Sequence, residues 1–304
     1  MNPAASVFTP TGVEPLSDEE FQRVRAFVYE RSGLAFEESK RFLLESRVRK
    51  RLRAVGLTGV DAYLEMVRSP LRGAAELLEL LDELTTHETS FFRGAPQLEA
   101  LRKRVLPGLL AARAHQGERS LRVWSAACSS GEEPYTLAML VAEALGEELG
   151  RWDARIVATD VSQSMLARAR VAEYGPYSLR TAPAYFVQKY FEAPGPQVFR
   201  VRPEVARLVE VRFLNFADEG AMWAMRGFHL IFCRNALIYF DREARRRCVE
   251  HFARAVEPGG YLFVGHAESL HGLTDALKPV HFPGALAYRK PLTDTESLLG
   301  RSDP

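Results

Sequence analysis

The sequence predicts an α/β fold: a parallel, doubly wound sheet with a small antiparallel β insertion, preceded by a small all-α N-terminal domain. Three observations predict it. From Leu121 onward, strand-like apolar runs alternate with helix-patterned segments, the rhythm of a parallel sheet with crossover helices. Between the first such strand and its helix stands a turn of small residues, "CSSGEEPY" (128–135), the position at which α/β proteins bind nucleotides. From residue 17 to 90 the apolar spacing is helical.

In chain order, residues 1–16 are punctuated by Pro3, Pro10, Gly12 and Pro15 and read as a flexible lead-in. Ser17-Asp18-Glu19-Glu20 resembles a capping box, and Phe21, Val24, Phe27 and Val28 follow at helical spacing. A second helix is expected near Glu38, a third from Val60 to the Ser69-Pro70 break, and a fourth over 73–84. Residues 17–90 thus form the helical domain. Strands are expected at 121–127, 155–159, 208–214, 228–233 and 259–264, and helices at 133–147, 162–171 and 241–256, in a second domain over 91–291. Residues 174–207 are rich in proline and read as an insertion carrying an antiparallel ribbon. Residues 292–304 read as a frayed tail.

Composition narrows the function classes. A chain of 304 residues, 47% hydrophobic, supports one large domain and a small one. No run approaches the roughly 18 apolar residues of a membrane span, and the N-terminus lacks a signal-peptide pattern, so a cytoplasmic protein without membrane insertion is expected. Cys128, Cys233 and Cys248 form no CxxC pair, so neither a disulfide framework nor a metal site is expected. A net charge of +1 attracts no partner class by itself.

The turn contains two acids, Glu132 and Glu133, where a pyrophosphate wants backbone N–H groups and glycines. Carboxylates suit a ligand that is cationic and has no phosphate, such as S-adenosylmethionine. One strand later, "IVATDVS" sets Asp160 at a strand end, where an acid can accept both ribose hydroxyls. Taken singly, the two glutamates can equally be first-turn acids and Asp160 a helix N-cap.

Five stretches decide the matter: "LTTHETSFFR" (84–93), "WSAACSSGEEPYTLAM" (124–139), "FLNF" (213–216), "LIFCRNALIYFD" (230–241) and "PGGYLFVGHAESL" (258–270). Their order and wording resemble the chemotaxis receptor glutamate methyltransferases, the CheR family, over residues 17 to 290. The resemblance implies a Rossmann-type domain that binds S-adenosylmethionine, leaves S-adenosylhomocysteine, and methylates glutamates on chemoreceptor cytoplasmic helices. It implies cofactor contacts from His87, Thr89, Arg93, Glu133, Asp160, Asn215, Phe216, Arg234 and Asn235, with Glu133 preferred over Glu132. The chain departs from the family in Thr86-His87-Glu88-Thr89, where Thr-Asn-x-Thr is common, and in Phe216-Ala217, where Leu-Leu is usual. Phe216 is read as stacking on adenine or filling the core.

A glutamate side chain, with a free pKa of about 4.3, is already an ionised nucleophile at neutral pH, so no general base is required. The sequence offers no convincing nucleophile–base pair; Ser, His and Glu in "GHAES" (265–269) are contiguous on an expected strand and cannot form a triad. Arg93 is the candidate for holding the substrate carboxylate, and Tyr239 either a hydroxyl contact or an ordinary strand-end aromatic. The helix around "ESKRFLLESRVRKRLRAVG" (38–56) carries Arg47, Arg49, Lys50, Arg51 and Arg53 beside an apolar stripe of Phe42, Leu43, Leu44, Val48, Leu52 and Val55. A solvated face is the common reading, phosphate binding is weakened by the lack of interleaved aromatics, and the resemblance assigns the helix to docking Glu-rich receptor helices. No nucleic-acid partner is expected, and a monomer is the default. The alternatives are a methyltransferase for another substrate and a non-catalytic cofactor-binding scaffold.

Overall fold

A computed structural model describes residues 15–69, 71 and 73–292; the lead-in to residue 14, Pro70, Arg72 and the tail from 293 lie outside the described residues. Four helices come first: α1 (Asp18–Ser32), α2 (Arg41–Ala54), α3 (Val60–Arg68) and α4 (Gly73–Leu84). The capping box at Ser17 is formed in both directions, with Glu20, and Gly33 ends α1 in the left-handed conformation at φ 73°. Helices α5 (Ala95–Ala100) and α6 (Leu106–His115) follow, joined by a π-helical turn, Leu101–Val105.

The second region continues with β1 (Ser120–Ala126), α7 (Glu132–Leu145), β2 (Asp153–Asp160) and α8 (Gln163–Val171). The insertion contributes β3 (Glu173–Tyr174), α9 (Ala184–Tyr190), β4 (Phe191–Gly195), β5 (Val198–Val201) and α10 (Pro203–Ala206). Then come β6 (Val209–Phe213), α11 (Glu219–Ala224), β7 (Phe228–Cys233), α12 (Arg242–Ala255), β8 (Val256–Val264), β9 (Lys278–Phe282) and β10 (Ala285–Arg289). The sheet order is β6-β2-β1-β7-β8-β10-β9, and the insertion forms its own antiparallel sheet, β3-β5-β4.

The expectation of a parallel sheet needs one correction. β6, β2, β1, β7 and β8 are parallel, but β10 pairs antiparallel with both β8 and β9. A hairpin, unlike a crossover, adds two strands to an edge with only a short turn. β8 stops at Val264, so "GHAES" lies beyond the strand, with a turn closed by the Glu268 N–H on the Gly265 carbonyl.

Each face of the sheet is covered. On one side α1–α4 and α12 share a continuous apolar core with β1 and β7, centred on Phe21, Phe27, Trp124 and Phe252. Trp124 is fully buried, donates its indole N–H to Thr159 Oγ1 at 2.9 Å and packs on Phe228 and Phe252. On the other side α5–α7 and the insertion bury Phe91, Leu101, Tyr135, Phe191, Phe232 and Phe263. The helical region is thereby docked against the carboxyl-end half of the sheet through Asn215 Nδ2, which donates to the Arg31 carbonyl at 2.7 Å, and through Ala35 N–H to the Tyr239 carbonyl at 2.9 Å.

Helix α2 corrects the expected stripe. Leu44, Val48 and Leu52 are buried, whereas Phe42 is 78% exposed and Leu43 38%. Several basic residues turn toward α4 instead of solvent. Arg51 donates to both oxygens of buried Glu76, at 2.9 and 2.7 Å, and reaches Glu79; Tyr63 completes the group with a 2.7 Å bond to Glu76. That pairing holds the Arg51 guanidinium well above its usual range, while burial and then the bond to Glu76 raise the Tyr63 hydroxyl. Arg47 donates to the Glu83 carbonyl, and Lys50 pairs with the Glu83 carboxylate at 2.6 Å. Arg51 and Arg47 therefore brace α2 against α4, where the sequence suggests charges projecting to solvent. Arg49 and Arg53 make no ion pair among the described residues, and Arg53 is exposed.

Candidate active site

An open cavity lies beyond the carboxyl ends of β1, β2 and β7. Its position is the one at which open α/β sheets bind ligands. His87, Thr89, Arg93, Glu133, Asp160, Asn215, Phe216, Arg234, Asn235 and Tyr239 all line it. They come from five separate stretches of sequence, so only the fold brings them together.

The β1–α7 turn forms the floor. Ala127 and Ser129 take left-handed conformations, φ 60° and 50°, and Asn235 at the end of β7 does the same at 61°. Non-glycine residues held there cost energy and concentrate at functional sites. Gly131, φ 98°, starts α7 where a Cβ would stand 2.7 Å from the Tyr174 hydroxyl, so the tight turn requires glycine.

The two turn glutamates have different jobs. Glu132 is 2% exposed, points away from the cavity and accepts from Ser130 and Ser178 hydroxyls at 2.7 and 2.9 Å. Glu133 faces the cavity, accepts from Ser125 Oγ at 2.7 Å and pairs with Arg234 Nε at 2.7 Å. The pair is nearly sealed, with side chains 6% and 12% exposed. Arg234 also donates to the Arg93 carbonyl at 2.6 Å. Glu133 is thus a neutralised acceptor, where the sequence suggests a free anion.

Asp160 is 7% exposed and accepts backbone N–H bonds from Ser129 at 2.8 Å and Ser162 at 2.9 Å. Burial raises its carboxyl above the usual aspartate range, partly offset by those donors. The N-cap of α8 is Ser162, whose hydroxyl accepts from Met165 N–H, so Asp160 is released from capping.

Asn215 has its NH2 committed to Arg31 and its Oδ1 to Ala217 N–H. Phe216 lines the cavity while stacking on Phe240 and meeting Phe252 edge-on. His87 Nε2 lies 3.2 Å from Thr85 Oγ1 and from the Asp82 carbonyl. Arg93 donates to the Glu88 carbonyl at 2.5 Å, and Tyr239 stands on a short 3-10 turn, Leu237–Tyr239. Buried Glu268 holds that region by accepting from the N–H groups of Asn235, Ile238 and Gly265, a structural role; His266 is exposed. Cys128 also lines the cavity, but burial pushes its thiol up, so it stays neutral.

Sequence reasoning missed Ser32 and Leu34, which reach the cavity from the end of α1, and took Ser129 only as a small residue of the turn. Nothing local marks the first two. Ser129 was inside the quoted turn, and its hydroxyl is buried without a hydrogen-bond partner while lining the cavity. An orphaned hydroxyl, an acid suited to a ribose and an adjacent aromatic wall fit the polar and apolar parts of an adenosyl ligand.

The comparisons agree with this geometry. Residues 87–285 match the family model "CheR methyltransferase, SAM binding domain", and residues 19–85 match "CheR methyltransferase, all-alpha domain". The chain is 37% identical over 276 residues to chemotaxis protein methyltransferase 1 of Pseudomonas aeruginosa, covering 90% of this chain and 98% of that protein. It is 39% identical over 249 residues to a probable chemotaxis protein methyltransferase of Rhizobium etli, covering 81% and 90%. It is 37% identical over 262 residues to the chemotaxis protein methyltransferase of Salmonella typhimurium, covering 85% and 86%. The fold is a mainly parallel α/β methyltransferase fold behind an all-helical domain, and its cofactor is S-adenosylmethionine. By motif, fold and cavity, the chain belongs to the CheR methyltransferase family.

Proposed function

We propose that this protein transfers the methyl group of S-adenosylmethionine to glutamate side chains on the cytoplasmic helices of chemoreceptors, forming methyl esters. It acts as a cytoplasmic monomer. The observation that carries the reading is that one cavity lining brings together Asp160 and Phe216, suited to an adenosyl group, with Arg93 and Tyr239.

When bound, the cofactor supplies an electrophilic methyl carbon on a sulfonium. The chain's residues bind and orient. Asp160 accepts hydrogen bonds from the ribose, the Glu133–Arg234 pair orders polar groups near the β1–α7 turn, and Phe216 with Leu214 walls the adenine side. His87 and Thr89 close the cavity from the linker. Arg93 holds the incoming carboxylate, which needs no deprotonation, so alignment supplies most of the acceleration. Helix α2 presents Arg49, Lys50 and Arg53 to an acidic receptor helix; long-range attraction of that kind raises encounter rates and weakens with salt.

The test is methyl transfer from labelled cofactor to a receptor cytoplasmic fragment, followed by alkali. Label released by mild base marks an ester and supports the reading. Base-stable label indicates a different acceptor atom, and absence of label with intact cofactor binding indicates a scaffold.

A further inference from the structure

The segment from residue 86 to 90 has no regular structure, yet it forms one wall of the cavity. Its backbone groups must therefore find partners elsewhere. Residues 175–182 of the insertion, a series of tight turns, supply one such partner, to the Thr89 carbonyl, and hold the adjoining Phe91 as well. Phe91 N–H donates to the Ser178 carbonyl at 2.9 Å, and Thr181 Oγ1 donates to the Phe91 carbonyl at 2.6 Å. Arg180 makes the most bonds. It donates to the Glu88 carboxylate at 2.6 Å, to the Thr89 carbonyl at 3.2 Å and to the Tyr177 carbonyl at 2.7 Å. The Tyr177 ring lies 3.9 Å beneath its guanidinium. Glu88 in turn accepts Arg93 through its carbonyl.

We propose that Arg180 is a positioning residue for methyl transfer: from the insertion, it fixes Glu88 and Thr89, and through them the placement of Arg93. The proposal rests on the reading that the linker's Thr89 and Arg93 serve cofactor and substrate. It makes the insertion part of the catalytic machinery, because the same turns also hold the cofactor loop through Ser178 Oγ and Glu132. The Arg180–Glu88 pair is partly exposed, with side chains 30% and 56% accessible, so it adds little to stability. Its loss should instead appear as misplacement, where a shift of about 1 Å costs on the order of a hundredfold in rate.

The test compares Arg180→Ala with Arg180→Lys in the full-length protein. Melting temperature, S-adenosylhomocysteine affinity, kcat and receptor KM are measured, with Asp160→Ala as a reference. Arg180→Ala is expected to lower kcat by roughly tenfold or more and weaken S-adenosylhomocysteine binding about threefold to tenfold, at nearly unchanged melting temperature. Lysine reaches Glu88 but lacks the fork to both carbonyls, so it restores part of kcat. Adding Glu88→Ala to Arg180→Ala should cost little more, since the two act as a unit. Unchanged kcat and affinity in Arg180→Ala, while Asp160→Ala blocks binding, overturn the positioning role alone. A loss that follows melting temperature and is not rescued by lysine also overturns it. If Asp160→Ala binds normally, the underlying cofactor reading fails, and the proposal with it.

Discussion

The Glu133–Arg234 pair predicts an asymmetric response to mutation. Both side chains are buried, and their 2.7 Å contact is supported on one side by Ser125 and on the other by the Arg93 carbonyl. Arg234→Ala leaves Glu133 as a buried carboxylate with only the Ser125 hydroxyl, a loss of about 3–5 kcal/mol. Glu133→Gln keeps an amide oxygen for one donor and leaves Arg234 its carbonyl acceptors, so it should cost only about 1–2 kcal/mol. Urea unfolding measures the difference; with a slope of about 3 kcal/mol per molar, Arg234→Ala should shift the midpoint by roughly 1 M or more. The double variant Arg234→Met with Glu133→Leu should recover much of that stability, because no charge is stranded. Binding adds a second reading. Glu133→Gln uncovers a positive charge in the cavity, so it should weaken S-adenosylmethionine, a sulfonium, more than neutral-sulfur S-adenosylhomocysteine. Equal destabilisation by the two single substitutions, or equal loss of both ligands, would refute the reasoning.

Three further outcomes follow from the same structure. Arg93→Ala should lower the methylation rate by more than it lowers cofactor affinity, and equal losses in titration and turnover would remove it from substrate binding. Charge reversal at Arg49 and Arg53 should raise the receptor KM and reduce its salt dependence, with folding intact, whereas Arg51→Glu should unfold the α2–α4 contact by facing Glu76 with a like charge; circular dichroism and kinetics separate the two. His229 is buried, accepts from Arg122 N–H through Nδ1 at 2.9 Å, and is pushed down to about 4 by burial and by neighbouring Arg113 and Arg122. The unfolded chain binds that proton near 6.5, so stability should fall by about 3 kcal/mol as pH drops from 6.5 to 4 and level off below; His229→Asn should flatten that slope in pH-dependent unfolding.

The parallel strands were legible because each is a short apolar run ending at a polar turn, and the helical region because its apolar residues keep helical spacing. The hairpin β9–β10 was not read, although Pro283-Gly284 between two β-prone runs is a turn signal. Pro107-Gly108 breaks the sequence pattern of the continuous helical stretch from Ala95 to His115; there the proline follows directly on the π-helical turn, where the regular backbone ladder is already altered. At the site, the strand-end acid and the quoted motifs could be found by pattern. The ion pairs could not. Glu133 and Arg234 stand 101 residues apart, and Arg51 and Glu76 stand 25 apart, so their partnership depends on packing that no local spacing encodes. For that reason the sequence presented Arg51 as a docking charge and Glu133 as a free anion.

The central claim is that this cavity binds the methyl donor through Asp160. Calorimetric titration of the full-length protein with S-adenosylmethionine and S-adenosylhomocysteine, beside Asp160→Ala, tests it most directly. The account predicts saturable one-site binding of both ligands that the substitution abolishes. Absence of binding to the unaltered protein, or undiminished binding to Asp160→Ala, would contradict it.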